Sequence, residues 1–233
     1  MKKYELTSET KVINGLELHR IKAIESFGDV KNGDLGGWIE SEKNLSQDGN
    51  AWVLDNAKVY DNAMVYDNAT VGGKATVFEN ATVGGYAFIS GKATVRGEAW
   101  VGGKATVSGN ATVEEKSKVD GNAMVCENVI VSGNAIVSEN ATVFENATVS
   151  GNAIVIGNAV VRGNADFIVF KNWWSSGRYF TWTRSNNKWD VGCFYGSGEE
   201  LIAKAYKDSE KSGREYERVV RYVESILKEE NNH

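Results

Sequence analysis

The sequence predicts an all-β solenoid of about six to seven triangular coils, with a β-rich N-terminal cap and a small α+β C-terminal module. Three observations carry this reading. A six-residue unit, N-A-x-V-x-G, repeats without insertion or deletion from Asn50 to Phe167. The 233 residues include 25 glycines and no proline, as expected of a backbone that donates hydrogen bonds almost continuously, since proline removes a ladder donor. After Phe167 the period stops and an aromatic-rich segment begins.

A period of six suits neither an α-helix nor a heptad coil. Within each unit, however, alanine and valine stand two apart, the spacing of side chains on one face of a strand. Valine recurs every sixth residue from Val53 to Val161, replaced only by Ile89, with Phe167 closing the series. Alanine recurs two positions earlier, from Ala51 to Ala165, replaced only by Ser117 and Val129. Each unit therefore reads as a short strand with two small apolar residues inward, followed by a corner such as Asp55-Asn56, Gly109-Asn110 or Gly91-Lys92. Glycine and asparagine tolerate the left-handed backbone that a sharp corner needs. Three sides close an 18-residue coil, which buries too little to offset the ordering of its own backbone. Coils must stack to be stable, giving a column about 30 Å long at ~4.8 Å per coil.

The order aliphatic, two variable residues, Asn, small residue, one variable residue resembles the hexapeptide repeat of left-handed parallel β-helices. That resemblance covers about half the chain and implies the left-handed sense of the coil, with a right-handed β-helix, whose coils are usually less regular, as the runner-up. The passage GDLGGWIESEKNLSQDGNAWV (33–53) further resembles hexapeptide-repeat proteins of phages and prophages, of the polymer-forming type. WTRSNNKWDVGCFYGSGEELIAKAYKDS (182–209) resembles a tail carried by several of them.

The expected divisions are 1–45 for the cap, 46–167 for the β-helix and 168–233 for the C-terminal module. In the cap, Asn14-Gly15 lies between apolar runs and predicts a hairpin. In the module, DFIVFKNWW, RYFTWTR and KWDVGCFY predict three strands. Ser197-Gly-Glu-Glu predicts a helix start. A second helix over about 213–229 carries Tyr216, Val219, Val220, Val223, Ile226 and Leu227 on one face, with Glu217–Arg221 and Glu224–Lys228 as i,i+4 pairs.

Net charge is −5, from 26 basic and 31 acidic residues, so bulk attraction to nucleic acid or an anionic membrane is not expected. Cys126 and Cys193 form no zinc motif or disulfide framework. No stretch has the roughly 18 apolar residues of a membrane span, and MKKYELTSETK lacks a signal's apolar core, so a cytoplasmic location is expected, with no membrane partner. Many hexapeptide β-helices are acyltransferases with a histidine base beside a coil. Here the histidines are His19, in the cap hairpin, and His233, so the usual proton acceptor has no counterpart on the coils. The sequence predicts no enzyme activity, no catalytic residue, no metal site and no cofactor.

Corner carboxylates, including Asp55, Asp61, Asp67, Glu79, Glu115, Glu127, Glu139 and Glu145, read as solvated corners rather than calcium ligands. Outward residues grouped by 18 give three faces. One holds Met64, Tyr66, Trp100, Ile136, Ile154 and Ile156, an apolar patch that points to self-association, with contact to the C-terminal module as the other account. Another carries the column Thr76, Thr94 and Thr112, whose neighbours Phe78, Arg96 and Glu114 break the regularity an ice-binding face requires. In the module, Trp174, Arg178, Tyr179, Trp182, Arg184, Lys188 and Trp189 interleave cations with aromatics, a pattern that suits stacking on a base with a phosphate held alongside. Internal packing of those aromatics is the competing account. The functional expectation is a non-enzymatic, phage- or prophage-borne scaffold that forms homo-oligomers. The alternative is a phage factor that captures a host defence protein, nucleic acid or signalling nucleotide. An acyltransferase ranks third.

Overall fold

The computed structural model describes residues 2–230, so His233 lies outside the described residues. Contacts divide the chain into two compact units, Met1–Asn164 and Ala165–His233.

In the first unit every hexad from Trp52–Val53 to Val160–Val161 contributes a two-residue strand. Each strand pairs in parallel with the one 18 residues on, as Thr94 with Thr112 and Val95 with Val113. The result is a parallel β-solenoid of about seven turns with three sheets. From Ala51 to Val161 the inward Ala and Val columns are buried, as are Ile89, Val129 and Ser117, whereas Ala165 beyond the last coil is exposed. Ser117 replaces an alanine at no cost in unpaired polarity, because its Oγ lies 2.6 Å from the Glu114 carbonyl and 3.1 Å from that of Val131.

The corners explain the residue choice. The first corner residue has positive φ at every corner from Gly49 to Gly157, ranging from 54° at Asp55 to 74° at Gly97. At six acidic corners the carboxylate accepts the backbone N–H one coil onward, among them Asp55 from Gly73 at 3.1 Å, Asp67 from Gly85 at 3.2 Å, Glu79 from Gly97 at 2.7 Å and Glu139 from Gly157 at 3.0 Å. The asparagines beside them form ladders of side-chain amides, with Asn110 donating to Asn128 at 2.9 Å and Asn128 to Asn146 at 3.2 Å. These corners join coil to coil as well as facing solvent.

The ladder has a direction. Backbone N–H groups donate to carbonyls of the following coil, as Trp52 to Ala69 at 3.0 Å, so the carbonyls of the first coil must be met by the segment before it. Backbone N–H groups there meet some, as Trp38 does Ala57 at 2.9 Å, and side chains meet others. Lys3, 1% exposed, aims Nζ at the carbonyls of Asp48, Gly49 and Ala51 (3.3, 3.1 and 2.9 Å). Tyr4 donates its phenol proton to the Leu45 carbonyl at 2.7 Å, and Asn44 donates to those of Asp61 and Ala63.

The cap is a hairpin, β1 (Tyr4–Ile13) and β2 (Leu16–Ala23), turned by Asn14 and Gly15, both at positive φ. A third strand, β3 (Leu35–Ile39), lies antiparallel to β2 and parallel to Lys58–Val59. Solenoid pairing thus begins within the predicted cap. Leu16 and Leu18 of the hairpin pack with Trp38, Tyr60 and Phe78, so these outward ring positions are covered.

The second unit holds a four-stranded antiparallel sheet: β4 (Phe167–Lys171), β5 (Tyr179–Thr183), β6 (Lys188–Val191) and β7 (Phe194–Gly196). The predicted third strand, KWDVGCFY, is instead a hairpin, because Gly192 at φ 63° turns the chain between Val191 and Phe194. Helix α1 (Gly198–Asp208) starts as expected, with Ser197 and Glu200 forming a reciprocal capping box. Helix α2 (Glu210–Glu230) starts earlier than predicted and buries Tyr216, Val220 and Val223. The predicted pairs on α2 are replaced: Glu217 accepts the Tyr206 hydroxyl at 2.7 Å, while Arg221 joins Glu199 of α1 to Glu224. Periodicity along one helix could not register competition from the neighbouring helix.

Candidate interaction surface

The hexad register brings the predicted interface residues onto one sheet. Met64, Thr82, Trp100, Lys118, Ile136 and Ile154 form one outward column in parallel pairing. Tyr66, Gly84, Gly102 and Ile156 belong to the next. The column is apolar at both ends and charged in the middle, where Lys118 pairs with Asp120 at 3.9 Å.

The aromatic end is built on glycine. A methyl group at Gly84 would fall 2.3 Å from the Tyr66 ring, and one at Gly102 would fall 2.1 Å from the Trp100 ring. Both rings therefore lie close over bare backbone, and Lys118 Nζ stands 4.5 Å from the Trp100 centroid. At the other end Ile136 and Ile154 are direct cross-strand neighbours, with Ile156 two residues along. All three are half-buried, while Met64 is 47% exposed.

A second outward column was not singled out in the sequence. Phe88 and Met124 are 43% and 46% exposed and alternate with Thr70, Thr106 and Thr142 on the seven-stranded sheet. The 18-residue grouping contains this column, but threonine between the large residues interrupts any apolar run.

The seven module residues separate into two groups. Trp174, Trp182 and Trp189 are buried together with Phe180, Tyr216 and Val220, so their rings serve the module core. Trp182 Nε1 donates to Asn187 at 2.9 Å. Arg184 makes a two-pronged pair with Glu230, at 2.6 and 3.2 Å, and donates to the Ala165 carbonyl. Lys188 is half-buried, while Arg178 and Tyr179 are exposed. The aromatic-cation set is thus not a continuous stacking surface.

No cluster of three or more His, Cys, Asp or Glu side chains suited to a metal occurs among the described residues. His19 sits half-buried on β2, opposite Thr10 and Ile39. Among the described residues, no helix is long and apolar enough to cross a membrane.

The family model for the YdcK beta solenoid repeat matches residues 57–73, within the first coils. The chain is also similar to the uncharacterized acetyltransferase YdcK of Escherichia coli (strain K12), 40% identical over 63 residues. The match covers 24% of this chain and 19% of that protein's length. These likenesses support a β-solenoid repeat protein.

Proposed function

We propose that this chain is a non-enzymatic, phage- or prophage-borne scaffold that self-associates through the sheet carrying Met64, Tyr66, Trp100, Ile136, Ile154 and Ile156. The observation that supports it is the cross-strand neighbour pair Ile136 and Ile154, which with Ile156 forms contiguous apolar surface on one side of the solenoid. A two-fold pairing of such faces brings each isoleucine cluster against its own kind or against the Met64–Trp100 end of the partner, burying both. Sedimentation equilibrium tests this directly. The wild type is expected to show mass action between species, and Ile154→Lys to shift it to the smaller one. A wild type that stays monomeric over a wide concentration range refutes the proposal.

The E. coli relative, an uncharacterized acetyltransferase by name, favours a second reading, acetyl transfer. It is supported only through the shared repeat, and acetyl-CoA turnover by the purified chain would establish it over the scaffold reading.

A further inference from the structure

A cleft of about 350 Å³ opens in the C-terminal unit between the segment joining β4 to β5, the β6–β7 turn and the two helices. Its polar groups are unevenly matched. Arg178 and Lys204 line it, both are exposed, and neither enters an ion pair among the described residues. Asp208 is the one carboxylate in the lining.

The Tyr216 hydroxyl adds a donor, and its direction can be deduced. Asn172, 2% exposed, accepts the Ser175 backbone N–H on Oδ1 at 2.9 Å, which fixes the amide orientation. Its Nδ2 must therefore donate to the Tyr216 oxygen, 3.0 Å away. Tyr216 is an acceptor in that contact, so its own proton is unspent although the residue is only 8% exposed. Burial pushes the phenol above its ordinary pKa, which keeps that proton in place. Val191, Phe194, Leu201 and Ala205 give the cleft an apolar side, while Ser175, Ser176 and Ser212 add hydroxyls to its lining.

We propose that this cleft binds a small organic phosphate monoester, its phosphate held by Arg178, Lys204 and the Tyr216 hydroxyl and its apolar body laid against Phe194 and Leu201. Guanidinium, ammonium and phenol are all donors to phosphate oxygens. The volume and the apolar wall suit a ligand larger than the bare anion. Asp208 then faces any hydroxyl the ligand carries. This site shares only Arg178 with the set expected from sequence and does not depend on self-association.

The test uses the full chain with phenyl phosphate as probe, followed by calorimetric titration. Saturable binding at one site per chain is expected, weakened about tenfold or more in Arg178→Gln/Lys204→Gln and weakened measurably in Tyr216→Phe, which keeps the core ring. Phenyl phosphate should also protect exposed Cys193, at the mouth of the cleft, from alkylation while leaving half-buried Cys126 unchanged. No saturable binding overturns the proposal. So does undiminished binding by a folded double variant, benzoate binding more tightly than phenyl phosphate, or inorganic phosphate binding equally well.

Discussion

Replacing Gly97 by alanine places a Cβ against the next coil. The new atom would lie 2.6 Å from the Glu115 amide nitrogen and 2.9 Å from its Cα and carbonyl oxygen, all of them backbone. Gly97 also has φ 74°, where an L side chain costs about 1–2 kcal/mol. Forcing the coils apart adds about 1–3 kcal/mol, so the total is about 2–5 kcal/mol. Gly151 provides the comparison: its φ is 67°, but a Cβ there meets nothing within 4 Å, so Gly151→Ala pays only the backbone cost of about 1–2 kcal/mol. A third variant, Gly97→Asp, should fall between them. The chain already places Asp61 below Glu79, with the carboxylate accepting the Glu79 N–H at 3.2 Å, and aspartate tolerates positive φ better than alanine. Urea unfolding followed by far-UV circular dichroism measures all three. Equal losses for Gly97→Ala and Gly151→Ala would refute the argument that coil-to-coil approach, and not turn conformation alone, selects glycine at this corner.

Stability should also depend on pH through the N-terminal end of the solenoid. Burial lowers the Lys3 ammonium from 10.5 to about 8, so between those values the unfolded chain binds a proton the native chain lacks, and stability rises with pH by up to about 3 kcal/mol. Burial, assisted by Glu42, raises the Tyr4 phenol far above its ordinary 10.0, so above pH 10 the unfolded state ionises first and stability falls. Thermal melts across alkaline pH should therefore rise and then fall, with Lys3→Met removing the rise and Tyr4→Phe reducing the fall; a flat wild-type profile contradicts both assignments. In the C-terminal unit, Ser197→Ala removes the acceptor for the Glu200 N–H and should cost about 1 kcal/mol, read as an earlier loss of tryptophan near-UV dichroism. An unchanged transition would show that the capping box adds nothing to the helix packed beside it.

Much of the first unit is legible in the sequence because its geometry is periodic. A fixed hexad makes residue i+18 the lateral neighbour of residue i, so Ile136 and Ile154 can be paired on paper. Strand alternation then decides which side chains enter the core. The module is less legible. Its aromatic-cation pattern does not reveal that Trp174, Trp182 and Trp189 face inward, since cross-strand neighbours and two helices decide which face of the sheet is covered.

The amino-acid order alone determined the coil, its register, its three faces and the Asn14-Gly15 hairpin, all consequences of local backbone preference and constant spacing. The tertiary structure decided what each polar group does once its partner arrives from far along the chain. Lys3 meets carbonyls 45 to 48 residues away, Asn172 orients a tyrosine 44 residues away, and corner carboxylates bond to the coil above. A hydrogen bond depends on distance and direction in space, and for these groups neither is set until the chain has folded.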